Sequence, residues 1–283
     1  MDNPLINLDK LSEPLTKLVD VTAAGIGTLY RPFGTVRQAK ADARAKIISA
    51  EADAKVLTLE HRAKFRLEYR ESLRQQNIEM VVSKAAAVMP DKVSKDSVDK
   101  DWILQFFGHA QDVCDEDMQT LWGKILAGET SKPRSYSKRT LQFLKTLDKW
   151  EAEMFSSYCS FLFNFEDGWK FVILADACIE LIKRVLDGDE PTSHFVNIGL
   201  LSGADLLLTP RKIVGKTLYY FDQKYIFEGE VEKERFQLGI PIRHLTAIGQ
   251  QISQIAGASF NDSLVKKISD EIGKRERLIL KRV

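Results

Sequence analysis

From Val36 to Met89 the chain runs without a single glycine or proline. Alanine, leucine, glutamate, lysine, arginine and glutamine dominate the stretch, and these residues lose least on entering a helix. Pro32 and Gly34 stand before it and Pro90 closes it, as suits helix boundaries. The composition predicts one continuous helix over 36–89, roughly 75–80 Å long at ~1.5 Å per residue. A compact domain of this size has no need of such a length, so the expectation is an arm projecting from a body.

Two apolar lines run along this arm. Ala43, Ile47, Ala50, Ala54 and Leu57 form one, and Ile48, Ala52, Val56, Leu59, Ala63 and Leu67 form its neighbour. Steps of three and four keep side chains on one side of a helix. The alanine-rich half permits close helix approach, and the bulkier second half fits a partner helix within the chain or in another copy. The plainer alternative is a solvated helix lying on its own body. Asp42–Lys46, Glu51–Lys55 and Glu60–Lys64 place acid before base at i,i+4, the favourable order. Arg62, Arg66, Arg70 and Arg74 then recur at every fourth position, stacking like charges. From Arg31 to Arg74 there are eleven Lys or Arg against six Asp or Glu, in a chain of net charge +1. An anionic partner would relieve this line: nucleic-acid phosphate, an acidic membrane surface, or an acidic patch of another subunit. Against that stands an ordinary solvated face with Glu68 and Glu71 as counter-ions.

A length of 283 residues allows one large or two modest domains. The balanced charge argues against a nucleic-acid domain spanning the whole chain. Cys114, Cys159 and Cys178 are scattered and odd in number, so no disulfide framework follows and a reducing compartment fits. The opening MDNPLINLDKLSEP lacks the basic and apolar regions of a secretory signal. No apolar run approaches the ~18 residues of a membrane span. Leu15–Tyr30 reads as a short helix that packs on the core or, with the basic residues after it, lies on an anionic membrane.

After Pro90 a polar linker leads to a helix capped by Ser97 and carrying Trp102, Ile103, Phe106 and Phe107. Asp115 caps the next, in which Met118, Leu121, Trp122, Ile125 and Leu126 show full amphipathic spacing, with Gly128 as its end. Ser137 caps a helix with Leu141 and Leu144, and Asp148 with Glu151 makes a capping box before Trp150 and Phe155. The expected core includes Trp102, Phe106, Leu121, Trp122, Leu126, Leu144 and Phe155. Further on, Lys170–Leu174 suits a strand and Ala175–Leu186 a helix. Thr217–Phe221, Tyr225–Glu228 and Phe236–Ile240 suit an antiparallel sheet, Leu245–Ile255 a helix, and Ser263–Ile279 a last charged helix. The fold class expected is mainly α with a small α+β part: a long N-terminal helix, a helical body, and a winged-helix-like C-terminal unit with a short antiparallel sheet. The divisions are an amphipathic segment at 1–34, the arm at 35–90, a helical domain at 97–165, and the α+β unit at 166–283.

Residues 118–150 carry LWGKILAGE followed by YSKRTLQFLKTL. This stretch resembles the bacterial family called domain of unknown function 2806. The segment YRPFGTVRQAKADARAK resembles the basic, alanine-rich segment near that family's start, and LTAIGQQISQIAG resembles its ending. The resemblance marks Trp122, Glu129, Arg139 and Thr140 as family-motif positions but names no chemistry. A looser likeness to the abortive-infection alpha family implies a role in bacteriophage defence. Read physically, Trp122 and Leu126 are core anchors, and Glu129 beside Arg134, Lys138 and Arg139 suggests a loop-fixing salt bridge, with a binding site as the alternative.

The four histidines stand alone, and no phosphate-binding loop, nucleophile elbow or dinucleotide fingerprint occurs. No catalytic residue, cofactor, metal ligand or small-molecule substrate is indicated. The expectation is a non-enzymatic, helical scaffold of bacteria that forms a homo-oligomer through its arm, placed in the cytoplasm or peripherally at the inner membrane. The alternative is a nucleic-acid-binding protein using the winged unit, with Arg211, Lys212, Lys216 and Arg243, together with the basic arm. Glu228, Glu230, Glu232 and Glu234 speak against a basic wing. An enzyme of unassigned class is the third reading.

Overall fold

The computed structural model describes residues 12–27, 58–186, 191–204, 206–229 and 239–283. The chain divides into two compact units, Met1–Thr146 and Leu147–Val283. The division falls well before the 165/166 boundary suggested by the sequence. The reason is local: the helix at 149–158 runs directly into the first strand and shares its core.

The first unit is helical throughout its described residues: α1 (Glu13–Ile26), α2 (Leu59–Ala87), α3 (Lys100–Ala110), α4 (Glu116–Ser131) and α5 (Lys138–Thr146). Its main contact sets α2 along α4, while α1 and α5 pack on α3. Gly123 lets α2 and α4 approach closely, since a Cβ there would meet Lys84 Cβ at 2.7 Å and the Ala85 backbone nitrogen at 3.0 Å. Gly25 does the same for α1, where a Cβ would collide with the Phe107 ring. Leu18, Val21 and Thr22 of α1 are buried, so this helix spends its apolar face on its own core. That is the plainer of the two readings of Leu15–Tyr30.

The single helix expected over 36–89 is corrected at its middle. Thr58 has extended backbone and its side chain accepts from the His61 backbone N–H, so α2 starts at Leu59. A Thr–Leu pair gives no compositional warning of a break, but a threonine hydroxyl suits an N-cap. Residues 36–57 of the expected helix lie outside the described residues. Nor is all of α2 an arm: Asn77, Ile78, Glu79, Val81, Val82 and Ala85 are buried in the unit. Two smaller corrections concern ends and core. Asp99, not Ser97, caps α3 by accepting from the Trp102 N–H at 2.8 Å, and α4 runs past Gly128 to Ser131. Leu121 is half-buried, while the other six expected core residues are buried.

The second unit holds α6 (Lys149–Tyr158), a 3-10 turn (Cys159–Phe161), β1 (Leu162–Phe165), β2 (Lys170–Ile173), α7 (Asp176–Val185), α8 (Thr192–Asn197), β3 (Leu206–Leu208), α9 (Pro210–Ile213), β4 (Thr217–Tyr220), β5 (Gln223–Gly229), β6 (Ile240–His244), α10 (Ala247–Ser253), α11 (Asp262–Glu276) and β7 (Leu278–Arg282). The strands form one sheet in the order β3-β6-β2-β1-β4-β5-β7, and each pairing is antiparallel. Phe163 sits opposite Phe171. With Ile173, Leu218, Tyr220, Phe227 and Ile242 they build the buried side of the sheet. Helix α11 packs on α7 and on β7. The sheet is larger than the three segments expected in 215–241. Strands β1, β3 and β7 were not read as such, and β6 begins where the segment Phe236–Ile240 was expected to end; residues 236–238 lie outside the described residues. The last helix stops at Glu276, because Arg277 turns the chain through the left-handed region (φ 55°) into β7. There Leu278 and Leu280 are buried and Ile279 is exposed, the two-residue period of a strand.

Candidate functional site

Two of the groups of side chains that the sequence singles out lie in the first unit. The first is the arginine line on α2. Four residues rise ~6 Å along a helix axis, so Arg62, Arg66 and Arg70 stand one above another. All three are exposed, and among the described residues none is ion-paired. Arg74 differs. Its Nε donates to Asp112 Oδ1 at 2.8 Å and its Nη1 to Glu71 Oε1 at 3.0 Å. The hydrogen bond to Asp112 is the main reason its pKa is raised. The expected line of four therefore divides into three arginines with no ion pair among the described residues and one tether to the α3–α4 turn. By helical geometry Glu60, Glu68 and Glu71 lie on the side of α2 away from those three.

Below Arg74 the helix enters the unit through a polar node. Asn77 Nδ2 donates to the Gln111 carbonyl at 2.9 Å, and Asn77 Oδ1 accepts from Gln119 Nε2 at 3.2 Å. Gln119 Nε2 also donates to the Val113 carbonyl at 2.8 Å. Two buried amides thus satisfy the turn that joins α3 to α4. Sequence reading missed them; the available signal was a polar residue at 77 inside an apolar line. Above Arg74 the helix stands clear of the unit. Leu59 is 75% exposed, Leu67 58% and Tyr69 44%. Leu59, Ala63 and Leu67 continue the line that is buried lower down as Ile78, Val81 and Ala85.

The second group is the LWGKILAGE motif, and here the chemistry is architectural. Trp122 is fully buried, edge-on to Phe106 at 5.3 Å, and Phe106 stacks on Trp102 at 5.1 Å. Glu129 is 2% exposed. Its Oε1 accepts from the Arg134 N–H at 2.7 Å and its Oε2 from the Tyr136 N–H at 2.9 Å. The loop-fixing role holds, but its means is corrected: the carboxylate holds backbone N–H groups, which sit at fixed positions, rather than a mobile arginine side chain. Burial raises the Glu129 pKa while these N–H groups pull it down. Burial and the nearby Glu129 push Tyr136 up to about 12. Gly128 leaves room for the Tyr136 ring, which a Cβ would meet at 2.7 Å. Thr140 is buried with its hydroxyl 3.0 Å from Ser137 Oγ. Arg139 is exposed, and Lys138 pairs with Asp99 at 3.2 Å and Asp101 at 3.6 Å. The structure gathers Trp122, Glu129 and Thr140 into the framework and leaves Arg139 on the surface.

A family described as a protein of unknown function, DUF2806, has a model that matches residues 61–193. Over residues 61–193 the chain belongs to the DUF2806 family. The DUF2806 region contains both the arginine line and the Trp122–Glu129–Thr140 framework. No curated protein and no solved structure matches the chain.

Elsewhere in the first unit a groove of about 630 Å³ runs between α1 and residues 93–98. Lys17 lies in it and donates to the Ser94 and Asp96 carbonyls at 2.7 and 2.8 Å. Burial lowers the Lys17 pKa against the pull of Asp96 and Glu13. Both contacts hold the loop and leave no ligand set. Among the described residues no group of His, Cys, Asp or Glu could hold a metal ion, and no helix is long and apolar enough to cross a membrane.

Proposed function

We propose that this DUF2806 protein is a non-enzymatic scaffold that self-associates through the free half of α2. One observation carries the reading. Leu59 and Leu67 stand exposed on a helix whose lower half is buried in a folded unit, so the apolar line is presented away from that unit's core. Burying a leucine side chain stabilises by about 1.5–3 kcal/mol, and a second copy supplies the same line in return. A scaffold role also agrees with a family motif spent on packing and loop fixing. The role in bacteriophage defence implied by the looser likeness is a further step of the same proposal, tested by phage plating on cells with and without the gene.

Anionic lipid is the weaker partner. Leu18 and Val21 of α1 are already buried in the unit, so this helix does not offer its full apolar face to a membrane beside the cations of α2, and a basic patch alone binds weakly. The deciding experiment is light scattering on the full chain at tens of micromolar. Removing α2 would strip Val81, Val82 and Ala85 from the core, so the comparison uses Leu59→Lys with Leu67→Lys. The wild type is expected to be an oligomer and the double variant a monomer with unchanged helix content. A monomeric wild type removes the proposal.

A further inference from the structure

We infer that Arg62, Arg66 and Arg70 bind the phosphodiester backbone of a nucleic acid laid along the upper half of α2. The inference stands apart from self-association, because these cations lie to one side of the Leu59–Ala63–Leu67 line. Three observations carry it. The three guanidinium groups are exposed and without an ion pair among the described residues, whereas Arg74, one step further, is tied to Asp112 and Glu71. Stacked like charges at i,i+4 cost a helix free energy, and among the described residues no acidic side chain is paired with these three. Within α2 the helix also has two electrical sides, with Glu60, Glu68 and Glu71 turned away from the cations, so the carboxylates of α2 itself do not face a polyanion on the basic side.

Length then selects the partner. The three residues span about 12 Å of helix axis, which matches roughly three to four phosphates of one strand at ~3.4 Å each. Tyr69 is partly exposed on the same side of the helix, next to the cations, and aromatic rings stack on unpaired bases. A lipid surface fits less well. It asks for a continuous apolar face between flanking cations, and here the Leu59–Ala63–Leu67 line has these cations along one side only.

The test is fluorescence anisotropy of a labelled single-stranded oligonucleotide and of the matching duplex, titrated with the full chain over a range of salt. Three neutralised phosphates give a log–log salt slope of about −2 for the single strand and about −3 for the duplex, and the tighter of the two at equal salt identifies the form bound. Each single Arg→Gln change should flatten the slope by about 1. Arg62→Gln, Arg66→Gln and Arg70→Gln together should abolish binding, and the triple Arg→Lys variant should keep it. Equal circular dichroism of both triple variants shows that the helix is intact. The inference is overturned if the wild type binds neither oligonucleotide, if the Gln triple variant binds with an unchanged slope, or if only vesicles of phosphatidylserine capture the chain.

Discussion

Glu129 shows how much one buried carboxylate can organise. It meets the backbone N–H groups of Arg134 and Tyr136, in a loop where Arg134 holds a left-handed φ of 72°. Glu129→Gln keeps the volume but points an amide NH₂ at one of those donors. The expected cost is about 1–3 kcal/mol, that of a buried donor left unsatisfied, read as a lower midpoint in urea denaturation; an unchanged midpoint would show that the loop does not depend on Glu129. Gly123→Ala tests close approach at the α2–α4 crossing. Its new methyl meets Lys84 Cβ and the Ala85 backbone, so the helices must part, at about 1–3 kcal/mol. Histidine sets the pH response of the same unit. Burial and Lys145 lower the His109 pKa below its ordinary 6.5, against the pull of Asp112. As the pH falls the unfolded chain therefore takes up its proton first. Stability present above 6.5 should decline as the pH drops through that value towards the lower folded one. Thermal melts on either side of 6.5 measure this, and His109→Gln should flatten the profile; an equally steep profile in that variant would place the effect elsewhere. His244 is lowered by burial too, so it adds a decline of the same sign in the second unit.

At the scale of elements, α2 is two helices in energetic terms. Its lower half is fixed by buried apolar residues and by the Asn77–Gln119 node, and its upper half rests on helix propensity and the Thr58 cap. Isolated helical turns are marginal in water, so the two halves should respond differently to one change. Thr58→Ala removes an N-cap worth about 1 kcal/mol. Amide exchange over the first turns of α2 should quicken roughly five-fold, while the unfolding midpoint of the unit stays in place. A fall in the midpoint would mean that the upper half is coupled to the core. At the other end of the chain, β7 covers the edge of β5 over five registered pairs, from Tyr225–Arg282 to Gly229–Leu278. An uncovered edge strand is a site of aggregation, so deleting residues 278–283 should make the second unit prone to association.

For the whole molecule, each unit has its own core and the division falls between α5 and α6. Domains with their own cores fold alone, so a fragment spanning residues 147–283 should show a cooperative urea transition with both helix and strand in its circular dichroism. A fragment without such a transition would show that the sheet needs the first unit. The family match over residues 61–193 crosses this division, so the conserved description of the family does not follow the boundaries of folding.

The sequence by itself determined the helices of the first unit, the caps at Asp115 and Ser137, the Asp148–Glu151 capping box, the aromatic core around Trp122 and the family. All of these are written in local spacing, within the three or four residues over which a helix repeats its face. Tertiary structure decided the rest. That Arg74 is a tether, while Arg62, Arg66 and Arg70 have no ion pair among the described residues, depends on Asp112, far away in the chain. That Glu129 holds N–H groups depends on the path of a loop. That Leu278–Arg282 is a strand depends on an open edge of β5 to receive it. Four equally spaced arginines are indistinguishable along the chain, and among the described residues it is Asp112, in the turn at the end of α3, that sets Arg74 apart from the other three.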